Sequence, residues 1–172
     1  MNHDLEAFES VICHISSTEK ADAINEVIDT CSVFQTLPDI QKFKHAVIRR
    51  EEIETTGIGH GIAIAHGKVR NLQHIHVGLG LSECGVVFNA KDGKPVHFLF
   101  VIASSPTRQF EYIRTLSALL RTVRDPEVRE ELLSGSGQAD CQDNLSADSH
   151  TLMRMLATQH FSWLWLPQED ES

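Results

Sequence analysis

The chain predicts a single α/β domain, with a mixed central β-sheet sandwiched by helices on both faces. Three observations carry this. A length of 172 residues suits one domain with one substantial core. Short apolar runs of strand length are interleaved with longer stretches of helical period. The order of these runs is mixed, with no internal repeat and no second domain boundary. Residues 1–160 are expected to form the domain. Residues 161–172 are expected to form a tail, first aromatic and then acidic.

The elements follow in order. Val11 to Ile15 is a short apolar strand. Ser16-Ser17-Thr18-Glu19-Lys20 supplies an amino-cap signal, and Ala23, Ile24, Val27, Ile28 and Cys31 continue with helical spacing. A second helix is led by Pro38 and carries Ile40, Phe43, Val47 and Ile48 on one face. Three strands are then expected, from Gly61 to Ala65, Ile75 to Leu81 and Val96 to Ala103. The second alternates, with Ile75, Val77, Leu79 and Leu81 on one face. The third is almost continuously apolar, as a central strand should be. Asp92-Gly93-Lys94-Pro95 is a turn. A helix after Ser104-Ser105-Pro106 carries Phe110, Ile113, Leu116, Leu119, Leu120 and Val123. A short helix follows from Asp125 to about Leu133, then a glycine-serine link at 134–138. A last helix spans roughly Ser146 to His160, with Leu152, Met155 and Leu156 inward.

Composition excludes several functions. A formal net charge of -9 argues against a nucleic-acid-binding surface, which needs a basic field. It favours solubility and a basic partner. The acidic amino end has no signal-peptide core, and no apolar run approaches the ~20 residues needed for a membrane span. A cytoplasmic location without membrane insertion is expected. Cys13, Cys31, Cys84 and Cys141 show no Cys-x-x-Cys spacing and read as reduced thiols, with Cys84 in core or loop.

The stretch from Gly57 to Gly67 reads Gly-Ile-Gly-His-Gly-Ile-Ala-Ile-Ala-His-Gly. His60 and His66 lie in a frame of four glycines, separated by an apolar segment fit for one buried strand. Gly57, Gly59 and Gly61 allow unusual backbone conformations, and Gly67 is expected to clear space beside His66 for another molecule. A neutral imidazole can attack a phosphoryl group near neutral pH. Such a transfer needs a positioned nucleophile and neutralisation of the phosphoryl oxygens. Arg50 can supply the neutralising fork. His60 either orients the group or caps the loop. His74 and His76, two apart, read as an exposed pair on the polar face of a strand, not as a metal site. No cofactor and no metal are expected.

The run from Arg50 to Gly67 closely resembles the signature of the phosphotransferase system enzyme IIA family of fructose/mannitol type, and most of all its nitrogen-regulatory branch. The segments from Asp92 to Phe100 and from Tyr112 to Ser117 resemble that family's in order and spacing. The likeness covers roughly residues 5–158. It implies a mixed sheet sandwiched by helices, and a phosphocarrier, not a free-standing enzyme. It also implies that His66 is the phosphoryl acceptor, with Arg50 contacting phosphate and His60 and Tyr112 as site neighbours. The implied donor is an HPr-like phosphocarrier. The implied output is regulation of partner proteins according to phosphorylation state, or transfer onward to a IIB component. Two positions depart from the pattern. Ala65 stands where the family usually has proline, and Tyr112 falls where it has a second histidine. A tyrosine can donate a hydrogen bond but cannot become a cation at neutral pH. A phosphorylation-impaired, binding-only regulator is therefore the alternative reading.

Overall fold

A computed structural model describes residues 11–135, 146–159 and 161. The link beyond Gly135, Cys141, His160 and the tail beyond Phe161 lie outside the described residues. Among the described residues five strands are formed: β1 (Ile12–His14), β2 (Gly57–Gly59), β3 (Ile62–Lys68), β4 (His76–Val86) and β5 (Val96–Ser104). The helices that lie wholly within the described residues are α1 (Lys20–Thr30), α2 (Ile40–Ile53), α3 (Gln109–Val123), α4 (Pro126–Gly135) and α5 (Ala147–Thr158), with a 3-10 turn at Ser32–Thr36.

The sheet order is β1-β4-β5-β3-β2. β1 runs parallel to β4 and β3 parallel to β5, while β4–β5 and β2–β3 are antiparallel, so the sheet is mixed. Side chains alternate across it and divide the core in two. Ile62, Ile64, Val77, Leu79, Phe98, Phe100 and Ile102 face Leu119 and Val123 of α3, Val128 of α4 and Leu152 and Met155 of α5. Ala63, Ala65, Leu99, Val101 and Ala103 face Ile24 and Val27 of α1, Phe34, and Phe43 and Val47 of α2. The expected α/β sandwich is what forms. No helix among the described residues is long and apolar enough to cross a membrane.

Several local expectations are corrected. α1 starts at Lys20 with Glu19 at its cap position and no side-chain cap. Ser16 and Ser17 instead give their backbone N–H groups to the Glu26 carboxylate, each at 3.0 Å. Asp39, not Pro38, sets the start of α2, accepting from the Lys42 N–H at 3.0 Å; Pro38 lies before the cap. α3 is rotated from its expected face. It buries Tyr112, Thr115, Ala118, Leu119, Thr122 and Val123, and leaves Phe110 75% and Ile113 50% exposed. Cys84 is exposed on β4. Cys13 and Cys31, far apart in sequence, meet as buried free thiols with Sγ atoms 3.5 Å apart.

Candidate functional site

β3 carries His66 near its carboxyl end, on the same face as Ile62 and Ile64. The opposite face at this point is occupied by α2. A Cβ built on Gly67 would lie 2.9 Å from Val47 Cγ2 and 3.1 Å from Phe43 Cε2. Gly67 therefore makes room for the protein's own helix and not for another molecule, which corrects the expectation above. The close approach fixes α2, and with it Arg50 in the last turn, against β3.

The His66 imidazole is partly buried. Its Nδ1 lies 3.2 Å from the Ile64 carbonyl oxygen. A carbonyl can only accept, so the bond requires the proton on Nδ1 and leaves the lone pair on Nε2. Burial is the main force holding the His66 pKa below the ordinary histidine value. Arg50 and Lys68 push the same way, while the Ile64 carbonyl and Glu51 oppose them. The ring is thus held neutral at physiological pH, with one nitrogen nucleophilic.

Tyr112 packs beside it, the two rings 5.4 Å apart between centroids and tilted by 47°. Burial raises the Tyr112 pKa and the field of Arg50 opposes the shift, so the phenol keeps its proton. Among the described residues its hydroxyl has no hydrogen-bond acceptor. Lys68 places Nζ 4.6 Å from the Tyr112 ring centroid and donates to Gln109 Oε1 at 2.9 Å and Ser104 Oγ at 3.2 Å. Burial lowers its pKa. The resulting cluster holds a neutral nucleophilic imidazole, a phenol donor and the Lys68 cation in one patch, with the field of Arg50 reaching both rings.

His66 and Tyr112 are therefore brought together within the field of Arg50, whose Nη1 donates to the Glu54 carbonyl at 3.0 Å, and His60 is not. His60 occupies the β2–β3 turn, at the other end of β3. At about 3.3 Å per strand residue, Ile62 alone is already about 13 Å from His66. His60 has φ +56° between Gly59 at +98° and Gly61 at +75°. Its N–H donates to Asp92 Oδ2 at 3.1 Å. It borders a cleft with Lys91, Lys94 and His97. Of its two expected roles, this geometry is that of the turn residue. Arg114 points away from Tyr112, its guanidinium 5.6 Å from the Phe110 ring centroid.

Sequence reasoning missed Lys68 and Glu51. Lys68 had a usable signal, since two residues along a strand returns to the His66 face. Glu51 had none. Its buried carboxylate accepts the Thr56 N–H at 2.9 Å and hydroxyl at 2.5 Å, and pairs with Lys20 Nζ at 3.2 Å. This ties the end of α2, next to Arg50, to the start of β2. His74 and His76 do not share a strand face: His76 opens β4 and is partly buried, while His74 precedes the strand. Among the described residues no three His, Cys, Asp or Glu side chains group as metal ligands.

Comparison with known proteins bears on this cluster. The family profile "Phosphoenolpyruvate-dependent sugar phosphotransferase system, EIIA 2" matches residues 7–147. The chain is 33% identical over 125 residues to the PTS system fructose-specific EIIABC component of Bacillus subtilis, covering 73% of this chain but only 20% of that relative. It is 32% identical over 127 residues to the PTS system fructose-specific EIIA component of Haloferax volcanii, covering 74% of this chain and 82% of that one. A nitrogen regulatory protein of Bradyrhizobium diazoefficiens is 25% identical over 129 residues, with 75% and 84% covered. Among solved structures, the nitrogen regulatory protein IIA-Ntr of Neisseria meningitidis superposes with a TM-score of 0.68 at 20% identity. That match covers 87% of this chain and 94% of the other, and it bears on the fold.

Proposed function

We propose that this chain, which belongs to the phosphoenolpyruvate-dependent sugar phosphotransferase system EIIA type 2 family, accepts a phosphoryl group on His66 and regulates partner proteins by its phosphorylation state. The observation that carries the reading is the neutral His66 ring, its Nδ1 turned to the Ile64 carbonyl and its Nε2 left with a lone pair in the field of Arg50 and Lys68.

The step proceeds by in-line displacement. His66 Nε2 attacks phosphorus on the phosphohistidine of an HPr-like carrier. The new N–P bond forms as the carrier's N–P bond breaks, and the carrier nitrogen leaves with the electron pair. The Nδ1 proton stays on His66. Arg50 and Lys68 meet the negative charge spread over the phosphoryl oxygens. The Tyr112 hydroxyl supplies one further donor. Product His66 then carries a phosphoryl group with about two negative charges, partly offset by the ring that keeps its Nδ1 proton, on an accessible surface, enough to change partner choice.

The output is a regulated target, or a IIB component in the second reading, which the fructose-specific names of two relatives favour. The test is incubation with a phosphorylated HPr-like carrier. Acid-labile label on the chain, absent from His66→Ala and retained in His60→Ala, supports the reading. No label from any such carrier leaves the binding-only regulator.

A further inference from the structure

The end of β3 away from His66 carries a cleft of its own. The β2–β3 turn, the β4–β5 loop and the end of α3 border it, and it has two lobes. Ile58, His60 and Lys91 line both lobes. Lys94 belongs to the first alone, and Arg124, the residue that ends α3, to the second alone. The lobes have volumes of about 670 Å³ and 540 Å³, each in the range of small-molecule sites. Ile62, which borders the second lobe, is about 13 Å along the strand from His66, so the cleft is separate from the acceptor site.

Its lining is cationic in a chain whose net charge is -9. Lys91, Lys94 and Arg124 are exposed, and among the described residues none of the three forms an ion pair. Lys20, Lys44 and Arg108, by contrast, are paired with Glu51, Asp29 and Glu111. Among the described residues Asp92 is the only carboxylate of the lining, and both its oxygens are engaged by backbone. Oδ2 accepts the His60 N–H and Oδ1 the Lys94 N–H, each at 3.1 Å. Asp92 therefore fastens the turn, in which His60 sits at φ +56°, a conformation uncommon outside glycine.

Three unpaired cations divided between two lobes suit a ligand with two separated anionic groups. Phosphate monoesters bring about two charges per group, so they gain more from this lining than carboxylates do. Guanidinium and ammonium groups are their usual partners. Between the lobes, Ile58, 37% exposed, gives an uncharged linker an apolar surface to lie on. We propose that this cleft binds a small metabolite carrying two separated phosphate groups, with Lys94 and Arg124 each holding one and Lys91 bridging them. The site takes no part in phosphoryl transfer to His66 and does not depend on it.

Nitrogen-15 NMR of the full chain, titrated with glucose bisphosphate, tests this. The amides of Gly59, Gly61 and Gly93 should shift and saturate, while that of Gly67, beside His66, should stay in place. Glucose monophosphate should bind about tenfold more weakly, having one group in place of two. Lys91→Gln, Lys94→Gln and Arg124→Gln, all at exposed positions, should keep the thermal midpoint and each weaken glucose bisphosphate about tenfold, as loss of a hydrogen bond to a charged group does. The absence of a saturable shift would overturn the proposal, as would shifts centred on Gly67 or full affinity in all three variants. Equal affinity for inorganic sulfate would reduce the cleft to a site for an adventitious ion only, and equal affinity for succinate would remove the phosphate assignment. Tighter binding of a glutamate-rich peptide would give the cleft to an acidic protein segment instead. A chain that binds glucose bisphosphate here but never takes label on His66 would keep this site and sink the acceptor reading.

Discussion

His66 Nδ1 stands 3.2 Å from the carbonyl oxygen of Ile64, two residues back on the same strand and the same face. This one contact fixes where the ring's proton and lone pair lie. It selects the tautomer, points Nε2 outward, and does so with backbone, which no side-chain substitution nearby removes. Burial and two cations then keep the ring uncharged.

The protonation state has a consequence for stability. His66 and His76 both have pKa values lowered chiefly by burial. The folded chain therefore binds fewer protons than the unfolded chain below about pH 6.5. The stabilisation tied to the neutral rings is fully present above that pH and is lost as pH falls through the lowered folded values. Urea midpoints measured from pH 8 to pH 5 should fall across the acid part of the range, and His66→Gln and His76→Gln should each flatten the slope. Equal slopes in all three proteins would contradict the burial argument.

Tyr112 is a neutral donor at a position where the family resemblance implies a second histidine. Tyr112→Phe keeps the ring against His66 and removes only the hydroxyl. Labelling should slow by about 10- to 100-fold, the worth of one hydrogen bond to a charged group, while the thermal midpoint moves little. Labelling at the wild-type rate would show that the hydroxyl plays no part.

Gly67 is a packing glycine. Gly67→Ala drives a methyl to 2.9 Å from Val47 and 3.1 Å from Phe43. We expect a loss of about 1–3 kcal/mol in denaturant unfolding. Slower labelling should accompany it, because α2 carries Arg50. A fully stable variant would mean that α2 can retreat without cost.

These cases mark where the sequence was legible. The strands read well because alternation and continuous apolar runs report burial locally, as in Ile75 to Leu81 and Val96 to Ala103. The helices on both faces also read correctly. The facing of α3 did not, because Phe110 and Ile113 complete a helical period as well as Tyr112 and Thr115 do, and only the packed partner decides between them. His66, Arg50 and Tyr112 came from the motif and its resemblance. The separation of His60 from His66 required the strand between them to be counted as distance. What fills the space beside Gly67, and the meeting of Cys13 with Cys31, depend on contacts between distant segments that no local pattern encodes.

The most direct test of the central claim is the position of the phosphoryl group. After incubation with a phosphorylated HPr-like carrier, phosphorus-31 NMR of the intact chain distinguishes Nε2- from Nδ1-phosphohistidine, and peptide mapping assigns the residue. The geometry at Ile64 predicts a single phosphohistidine, at His66, bonded through Nε2. A phosphoryl group on Nδ1 of His66, on His60, or on no histidine at all would contradict it.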